Sequence, residues 1–223
     1  GSSTLAPYTP IVPENPDMLA LLAPFQTYGQ LKLGVSIGET DAKLEGDRPA
    51  MRSRPTSMGV LVGLASMEKT GADFAVVNAG SVRDSLPVGK ISYKDVLKVF
   101  PFGNTLVTVD LSGTEVMAYL NTVAKMTVGS GAFPQFAGVQ LDITAGVVTR
   151  ALIRNTPLDP VKNYRLVVNN FQAVGGDGYP VLTGHKSFLD SGYVDADVLR
   201  EYIADHTPLK STLFAPGEAV VRR

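Results

Sequence analysis

Apolar residues in this chain either form short runs or alternate with polar residues, and both patterns predict β-strands. Residues 72–78 (ADFAVVN) are nearly continuously apolar and contain β-branched side chains, as expected of a buried strand. Residues 138–143 and 147–154 flank a Thr-Ala-Gly turn, which predicts a hairpin. The predicted strands are 31–39, 72–78, 105–111, 138–143, 147–154 and 164–170.

Helices are predicted where apolar residues recur every three to four positions behind a capping residue. Ser112 and Glu115 stand at capping-box spacing in front of such a face. Another helix is predicted to begin at a cap provided by Thr56 or Ser57 and to end near Gly71. The remaining predicted helices begin at Pro16 and cover residues 92–100 and 194–206.

Strands and helices are intermixed without the regular alternation of a doubly wound sheet, and the hairpin adds antiparallel pairing. We therefore predict an α+β fold, with a single mixed-sheet domain preceded by a linker helix. Residues 1–16 are rich in Pro, Ser and Thr and are assigned to a tail or linker. Residues 17–34 are assigned to a connecting helix region, and residues 35–223 to the domain.

Composition narrows the classes of function. The chain has 223 residues, of which 44% are hydrophobic and 18% charged, so it is a globular chain rather than a disordered one. With 20 basic and 21 acidic residues it has no overall field that attracts nucleic acid or an anionic membrane. No apolar run approaches the ~18 residues that a membrane span requires. The absence of cysteine excludes disulfides and thiolate sites, and the first residues, which begin Gly-Ser like a cloning remnant, lack the pattern of a secretion signal.

The common catalytic and metal-binding motifs are absent from the sequence. His185 and His206 lie far apart, and neither stands in a metal-ligand spacing. No serine has a Gly-x-Ser-x-Gly context, and no glycine-rich phosphate loop is present. We therefore assign no catalytic residue and no metal ligand to this chain.

Three arginines near turns are candidates for a local anion site. Arg48 and Arg52 lie in one basic loop, and Arg83 ends a glycine turn that follows the predicted strand 72–78. A planar guanidinium pairs with phosphate or ribose oxygens through two hydrogen bonds. The alternative is that each arginine is a solvated surface charge.

Two aromatic residues lie beside glycine breaks rather than on a periodic apolar face. Phe102 belongs to the sequence PFGN, and Phe171 belongs to NNFQAVGGDGYP at 169–180, which also contains Asp177. Such rings are able to stack on a flat base, and an acid between glycines is able to accept from ribose hydroxyls. The alternatives are that both rings belong to the core, that Asp177 is a turn former, and that the stretch is a mobile loop without a ligand.

These segments together resemble a known family. Residues 78–116 and 169–180 carry the patterns Asn-x-Gly-x-[Ile/Val]-Arg, Pro-Phe-Gly-Asn and Phe-x-x-x-Gly-Gly-Asp-Gly. At these spacings they resemble the C-terminal domain of the 5'-nucleotidase family, and within it the bacterial periplasmic enzymes that also hydrolyse UDP-sugars. The resemblance extends over nearly the whole chain and implies the α+β fold of that domain.

The resemblance also implies a role for individual residues. The rings of Phe102 and Phe171 are expected to sandwich the base, Asn104 to hydrogen-bond its edge, and Asp177 to hold the ribose hydroxyls. Arginines at the matching positions face the ribose and phosphate. The full set of expected substrate-binding residues is Arg48, Arg52, Asn78, Arg83, Phe102, Asn104, Phe171 and Asp177.

Two turns depart from the family pattern. Ala79 and Ser81 replace glycines of a usual triple-glycine turn, and Pro55 and Ser57 stand where Glu and Asn are common. We expect backbone contacts to the ligand and substrate preference to differ there.

The same resemblance places the chemistry of hydrolysis outside this chain. The family carries its pair of divalent ions, of the Zn, Mn or Co type, and a catalytic His-Asp pair on an N-terminal metallophosphoesterase domain with Asp-x-His and Gly-Asn-His-Glu motifs. Neither motif occurs here. The chain alone is therefore expected to need no cofactor, to bind nucleotide weakly and to hydrolyse nothing, and the helix after Pro16 is expected to connect the two domains. A periplasmic or extracellular location follows from the family alone.

The sequence thus predicts the nucleotide-binding, substrate-specificity domain of a metal-dependent 5'-nucleotidase. Nucleoside 5'-monophosphates are the expected substrates, with UDP-sugars and dinucleotides as further candidates. Two alternatives remain open at this point. One is the C-terminal domain of a 2',3'-cyclic-nucleotide phosphodiesterase/3'-nucleotidase, and the other is a free-standing module that senses nucleotides.

Overall fold

The structure is a computed structural model that describes residues 16–18, 20, 33–217 and 220–222. The chain divides into two compact units, residues 1–35 and residues 36–223. In the first unit, residues 16–18 and 20 are helical, and most of the helix predicted to begin at Pro16 lies outside the described residues.

The second unit mixes strands and short helices, which confirms the predicted α+β class. Its strands are β1 (Ser36–Thr40), β2 (Phe74–Asn78), β3 (Gly89–Ser92), β4 (Thr105–Ser112), β5 (Pro134–Ala137), β6 (Val139–Thr144), β7 (Val147–Ile153), β8 (Thr156–Pro157), β9 (Asn163–Asn169), β10 (Leu189–Val194) and β11 (Val220–Arg222). Its helices are α1 (Arg48–Met51), α2 (Ser57–Thr70), α3 (Tyr93–Val99), α4 (Gly113–Val123), α5 (Asn170–Ala173) and α6 (Asp195–His206). Short 3-10 turns cover Gly176–Gly178 and Ser211–Phe214. Among the described residues, no helix has the length and apolar character required to cross a bilayer.

The predicted capping signals act as expected. The Thr56 side chain accepts a hydrogen bond from the Gly59 N–H at 3.1 Å, and Gly71 ends α2 with a φ of 66°. Ser112 and Glu115 form the reciprocal capping box at the start of α4. These local contacts explain why the starts of α2 and α4 are predictable from sequence alone.

The strands of the described residues form three sheets. The central five-stranded sheet has the order β10-β4-β9-β2-β5, in which β2 and β9 are parallel and the other neighbours are antiparallel. A four-stranded sheet has the order β11-β6-β7-β8 and contains the predicted hairpin, and β1 pairs with β3.

Strand β2 is buried on both faces, which accounts for its continuous apolar sequence. Phe74 and Val76 pack into the core that includes α4 and the four-stranded sheet, whereas Val77 packs into the core formed with α2, α3 and α6. Because successive side chains of a strand point to opposite faces, a strand between two layers needs apolar residues at every position.

Several elements were not predicted. Strands β3 and β5 have only four residues each. Strand β10 is mostly exposed and contains Gly192 with a φ of 70°, so its sequence shows no clear alternation of apolar and polar residues. Two segments expected to be loops contain single helical turns: α1 lies in the basic segment, and α5 carries Phe171. Phe171 and Asp177 therefore do not share one irregular loop: Phe171 lies on α5, and Asp177 lies on the 3-10 turn that follows it. The Asn169 side chain caps α5 and Gln172 completes a capping box, so this segment is ordered by its own polar side chains.

The sheet topology brings distant strand ends to one edge. The end of β9 lies beside the start of β4, because Asn169 pairs with Leu106 in an antiparallel register. The end of β2 lies at the same edge, since β2 is parallel to β9, and Asn78 pairs there with Pro134 at the start of β5. Segments that leave or enter the sheet at this edge form the walls of one cavity.

Candidate functional site

A cavity of about 420 Å³ lies at this edge of the central sheet. Its walls come from the turn after β2, the segment before β4, the segment before β5, and the residues that follow β9. The lining residues are Arg52, Asn78, Gly80, Ser81, Arg83, Phe102, Asn104, Gly131, Phe171 and Asp177. Aromatic and charged groups therefore line the same open cavity.

The two phenylalanine rings lining the cavity are unusually exposed for their type. Phe102 is 57% exposed and Phe171 is 42% exposed. The guanidinium of Arg83 lies over the Phe102 ring, with its Cζ 5.7 Å from the ring centroid. Two large apolar faces that border the same cavity are available to a flat ligand.

Phe171 is supported from behind by a glycine. A Cβ built on Gly176 would lie 2.6 Å from Cε1 and Cζ of the Phe171 ring, so the ring packs directly against this backbone. The absence of a side chain at Gly176 therefore fixes how far the ring extends into the cavity.

Asp177 projects from a strained turn. It has a φ of 56° between Gly176 and Gly178, in the left-handed region that is uncommon for residues other than glycine and that Asp adopts more readily than most. The Asn78 Nδ2 donates to Asp177 Oδ2 at 3.4 Å. A Cβ on Gly131 would lie 3.3 Å from Oδ2, so Gly131 allows the opposite wall to approach the carboxylate closely.

Asn78 links Asp177 to the sheet. It is only 2% exposed, and its Oδ1 accepts from Asn169 Nδ2 at 2.9 Å. The Asn169 Oδ1 in turn accepts from the Gln172 N–H at 2.8 Å, at the cap of α5. This hydrogen-bonded chain holds the acid in place from behind and connects the ends of β2 and β9.

Like charges surround the guanidinium of Arg52. Burial and the positive charges of Arg48 and Arg83 lower the pKa of Arg52, and the charge of Asp177 opposes this shift. Among the described residues, the Arg52 Nε is buried without a hydrogen-bond partner. A cluster of guanidinium groups with an unused donor is suited to an anion.

The backbone around Arg52 is held by Gln135, a residue that no sequence motif identifies. Gln135 is 2% exposed, and its Nε2 donates to the carbonyls of Met51 at 2.8 Å and Arg54 at 2.7 Å. Its Oε1 accepts from the Thr56 N–H at 2.9 Å. One buried amide thus fixes the turn that contains Arg52 against β5.

The structure brings seven of the eight predicted site residues together in the cavity wall. Arg48 is the exception: it begins α1 and is not among the described residues that line the cavity, although its charge reaches Arg52. Gly80, Ser81 and Gly131 also line the cavity and were not predicted as site residues. Ser81 closes the turn after β2 by donating from Oγ to the Asn78 carbonyl at 2.8 Å. No sequence signal marks Gly131.

Comparison with known proteins shows the family to which this fold belongs. The family described as "5'-nucleotidase, C-terminal domain" matches residues 36–184, which is more than half of the chain. This chain belongs to that family. The predicted family resemblance is therefore confirmed.

Relatives of the 5'-nucleotidase C-terminal domain extend the match. Protein UshA of Escherichia coli is 47% identical over 216 residues, which is 97% of this chain and 39% of that protein. The 5'-nucleotidase of Vibrio cholerae is 44% identical over 95% of this chain and 38% of its own length. The crystal structure of a 5'-nucleotidase precursor from Thermus thermophilus matches with a TM-score of 0.75 and 32% identity, over 92% of this chain and 42% of that one. The chain thus spans about two fifths of the curated relatives that it matches.

Residues that suit a divalent-metal pair are not found in the part of the chain that the structure describes. No group of three or more His, Asp or Glu side chains is arranged there as a metal site. The described residues therefore do not fit the pair of divalent ions that the sequence resemblance leads us to expect, and no step of a reaction is assigned to metals on this chain.

Proposed function

We propose that this 5'-nucleotidase C-terminal domain binds the nucleotide and sets substrate specificity for a metal-dependent hydrolase. The base lies between the rings of Phe102 and Phe171, and its edge contacts Asn104. Asp177 accepts from the ribose hydroxyls. Arg52 and Arg83 face the phosphate side, and Arg48 strengthens the positive field from outside the cavity wall.

The observation that carries this proposal is the pair of exposed rings beside one cavity. Exposure of 57% and 42% places much of each phenylalanine in contact with solvent, which is unfavourable unless a ligand covers the rings. The cavity volume of about 420 Å³ lies within the range of small-molecule sites. A flat heterocycle matches both the apolar faces and the volume.

The polar groups support a nucleotide rather than an apolar ligand. Arg52 and Arg83 supply positive charge, and Asp177 supplies acceptors on a turn backed by Asn78. An acid and guanidinium groups on one cavity wall fit a ligand that carries both hydroxyl donors and an anion.

Hydrolysis requires groups that we place on another part of the full-length protein. The chain covers 39% of its Escherichia coli relative, which leaves room for a separate N-terminal metallophosphoesterase domain with a Zn, Mn or Co pair. Nucleoside 5'-monophosphates are the proposed substrates, with UDP-sugars and dinucleotides as candidates, and the proposed location is periplasmic or extracellular.

Calorimetric titration of the chain with adenosine and AMP tests the base clamp. Phe171→Ala is expected to weaken adenosine binding at least about fivefold, because stacking on one ring contributes ~1–3 kcal/mol. The substitution removes an exposed ring, so the urea midpoint of unfolding is expected to change little.

Tyr193→Ala is the matched control. Tyr193 is 45% exposed, close to the value for Phe171, and lies on β10 outside the cavity lining. We expect its affinity for adenosine to equal that of the unsubstituted chain. Unchanged affinity in both Phe171→Ala and Phe102→Ala would refute the base clamp.

A further inference from the structure

Asp195, the first residue of α6, lies directly behind Asn104. Strand β10 runs antiparallel to β4, and Val194 pairs with Thr105, so the residues just beyond this pair meet at the cavity edge. The Asp195 N–H donates to the Asn104 carbonyl at 2.9 Å. Neither the sequence motifs nor the family roles assigned above include Asp195.

The carboxylate of Asp195 is buried and incompletely paired. The residue is 5% exposed, and its Oδ1 accepts from the Ala196 N–H at 2.8 Å. Within the described residues, its Oδ2 has no hydrogen-bond partner within 3.5 Å. A buried carboxylate oxygen of this kind attracts the nearest available donor, because leaving it unpaired is costly.

The side-chain amide of Asn104 is the candidate donor, because the bond from the Asp195 N–H to the Asn104 carbonyl holds these two residues together. Burial raises the pKa of Asp195 to about 6, while bonding from the Ala196 N–H and the proximity of the Asn104 amide oppose the rise. The Asn104 amide thus acts to lower the pKa of Asp195, although within the described residues it makes no hydrogen bond to Oδ2. Asn104 also lines the large cavity, so this residue adjoins both the buried acid and the ligand site.

We infer that Asp195 is a positioning residue that turns the NH₂ group of Asn104 inward and leaves the Asn104 carbonyl oxygen facing the base. This inference rests on the proposed function of the cavity. An ionised carboxylate only accepts hydrogen bonds, whereas a primary amide has a donor side and an acceptor side. Fixing the donor side against Asp195 therefore presents an acceptor to the cavity.

An acceptor at this position selects bases by their exocyclic group. The 6-amino group of adenine donates to a carbonyl oxygen, whereas the 6-oxo group of hypoxanthine does not. The chain is thus expected to prefer adenosine to inosine, and the preference depends on a residue that does not touch the ligand.

Asp195→Asn tests the orientation with little change of shape. The new amide keeps an oxygen for the Ala196 N–H and places an NH₂ group where Oδ2 was, so Asn104 is expected to turn its oxygen inward. Calorimetric titration is expected to show that adenosine is preferred about tenfold by the unsubstituted chain, and that Asp195→Asn abolishes or reverses this ratio.

Asp197→Asn is the matched control on the same helix. Its carboxylate is 45% exposed and pairs with Arg200, so the ratio of adenosine to inosine affinity is expected to stay at the unsubstituted value. If Asp195→Asn binds both nucleosides with the unsubstituted ratio, the inference is wrong. Gln172 and Asp195 both line a second, much smaller cavity, and the Gln172 Nε2 has no hydrogen-bond partner among the described residues. An unchanged ratio is expected if Gln172, rather than Asn104, donates to the Asp195 carboxylate.

A measurement without ligand separates this inference from the proposed function. The side-chain amide resonances of Asn104 are expected to shift with a midpoint near pH 6, and the shift is expected to vanish in Asp195→Asn. Asp197 is the one charged residue that shifts the pKa of Asp195. No titratable side chain faces Asp195 across the small cavity, whose other described lining residues come mainly from α2, β2, β4, β9 and α5. If the Asn104 resonances shift with pH but the chain binds no nucleoside, the proposed function is wrong and the positioning of Asn104 stands. A missing shift refutes the positioning of Asn104, whatever binds.

Discussion

Two polar residues of the cavity wall, Asp177 and Asn104, each contact a second polar residue. Asn78 donates to Asp177, and Asp195 lies behind Asn104. The contact from Asn78 restricts the rotamers of Asp177 before a ligand arrives, and the proposed contact of Asp195 with the Asn104 side chain would do the same for Asn104, which lowers the entropic cost of binding. Substitutions behind the wall are therefore expected to change affinity without removing a ligand contact.

The burial of Asp195 predicts a pH dependence of stability. Its carboxyl titrates near pH 4 in an unfolded chain and at about 6 in the folded one. Between these values the folded state binds more protons, so this group's contribution to stability is complete below about pH 4 and is lost as pH rises through about 6. Relative to Asp195→Asn, the unsubstituted chain should lose about 2–3 kcal/mol of unfolding free energy between pH 4 and pH 7.

Urea unfolding at a series of pH values measures this difference. Asp197→Asn provides the reference for removing a partly exposed acid from the same helix. A difference between the unsubstituted chain and Asp195→Asn that is constant over this range would contradict the prediction.

Sequence alone predicted the residues of the cavity that belong to continuous motifs. Phe102, Phe171 and Asp177 stand in glycine-rich patterns that are visible without a fold. Gln135 and Asp195 were not found, because their roles depend on contacts with segments far away along the chain. Arg48 was grouped with Arg52 by sequence proximity, yet the intervening turn of α1 leaves it outside the described cavity lining.

Among the secondary-structure elements, the site depends on single helical turns attached to strand ends. Helix α5 is only four residues long and is stabilised by its cap, so it holds Phe171 through local polar contacts rather than through an apolar face. This also explains why periodicity could not predict it. Longer elements with capping boxes, such as α4, were predicted correctly because their signals are local.

The packing of Phe171 against Gly176 predicts the effect of one added methyl group. Gly176→Ala should force the ring away, since the new Cβ would lie 2.6 Å from ring atoms and 2.5 Å from the Phe171 carbonyl oxygen. We expect adenosine affinity to fall at least about fivefold, comparable to loss of the stacking contact. Calorimetry on the substituted chain measures this effect.

Gly184→Ala is the control for that substitution. No atom lies within 4 Å of a Cβ built there, so an alanine has open space. Equal losses of affinity in both variants would show that the spacing of Phe171 is not responsible.

At the scale of the whole molecule, the chain holds a binding cavity without a metal site among its described residues. Purified chain supplied with AMP and either Mn²⁺ or Zn²⁺ is therefore expected to release no phosphate. A colorimetric phosphate assay measures this, with the full-length 5'-nucleotidase of Vibrio cholerae as the positive control. Turnover that co-elutes with the chain and stops on chelation would contradict the prediction.

The cavity also ties ligand binding to the integrity of the central sheet. The residues that line it lie far apart in the sequence, between Arg52 and Asp177. They come together because β2, β4, β5 and β9 bring their ends to one edge of the sheet. Unfolding of this sheet disperses the walls, so an occupant binds the native state alone. Any molecule that binds in the cavity consequently raises the melting temperature of the domain. Once its concentration exceeds Kd, the stabilisation grows with the logarithm of that concentration.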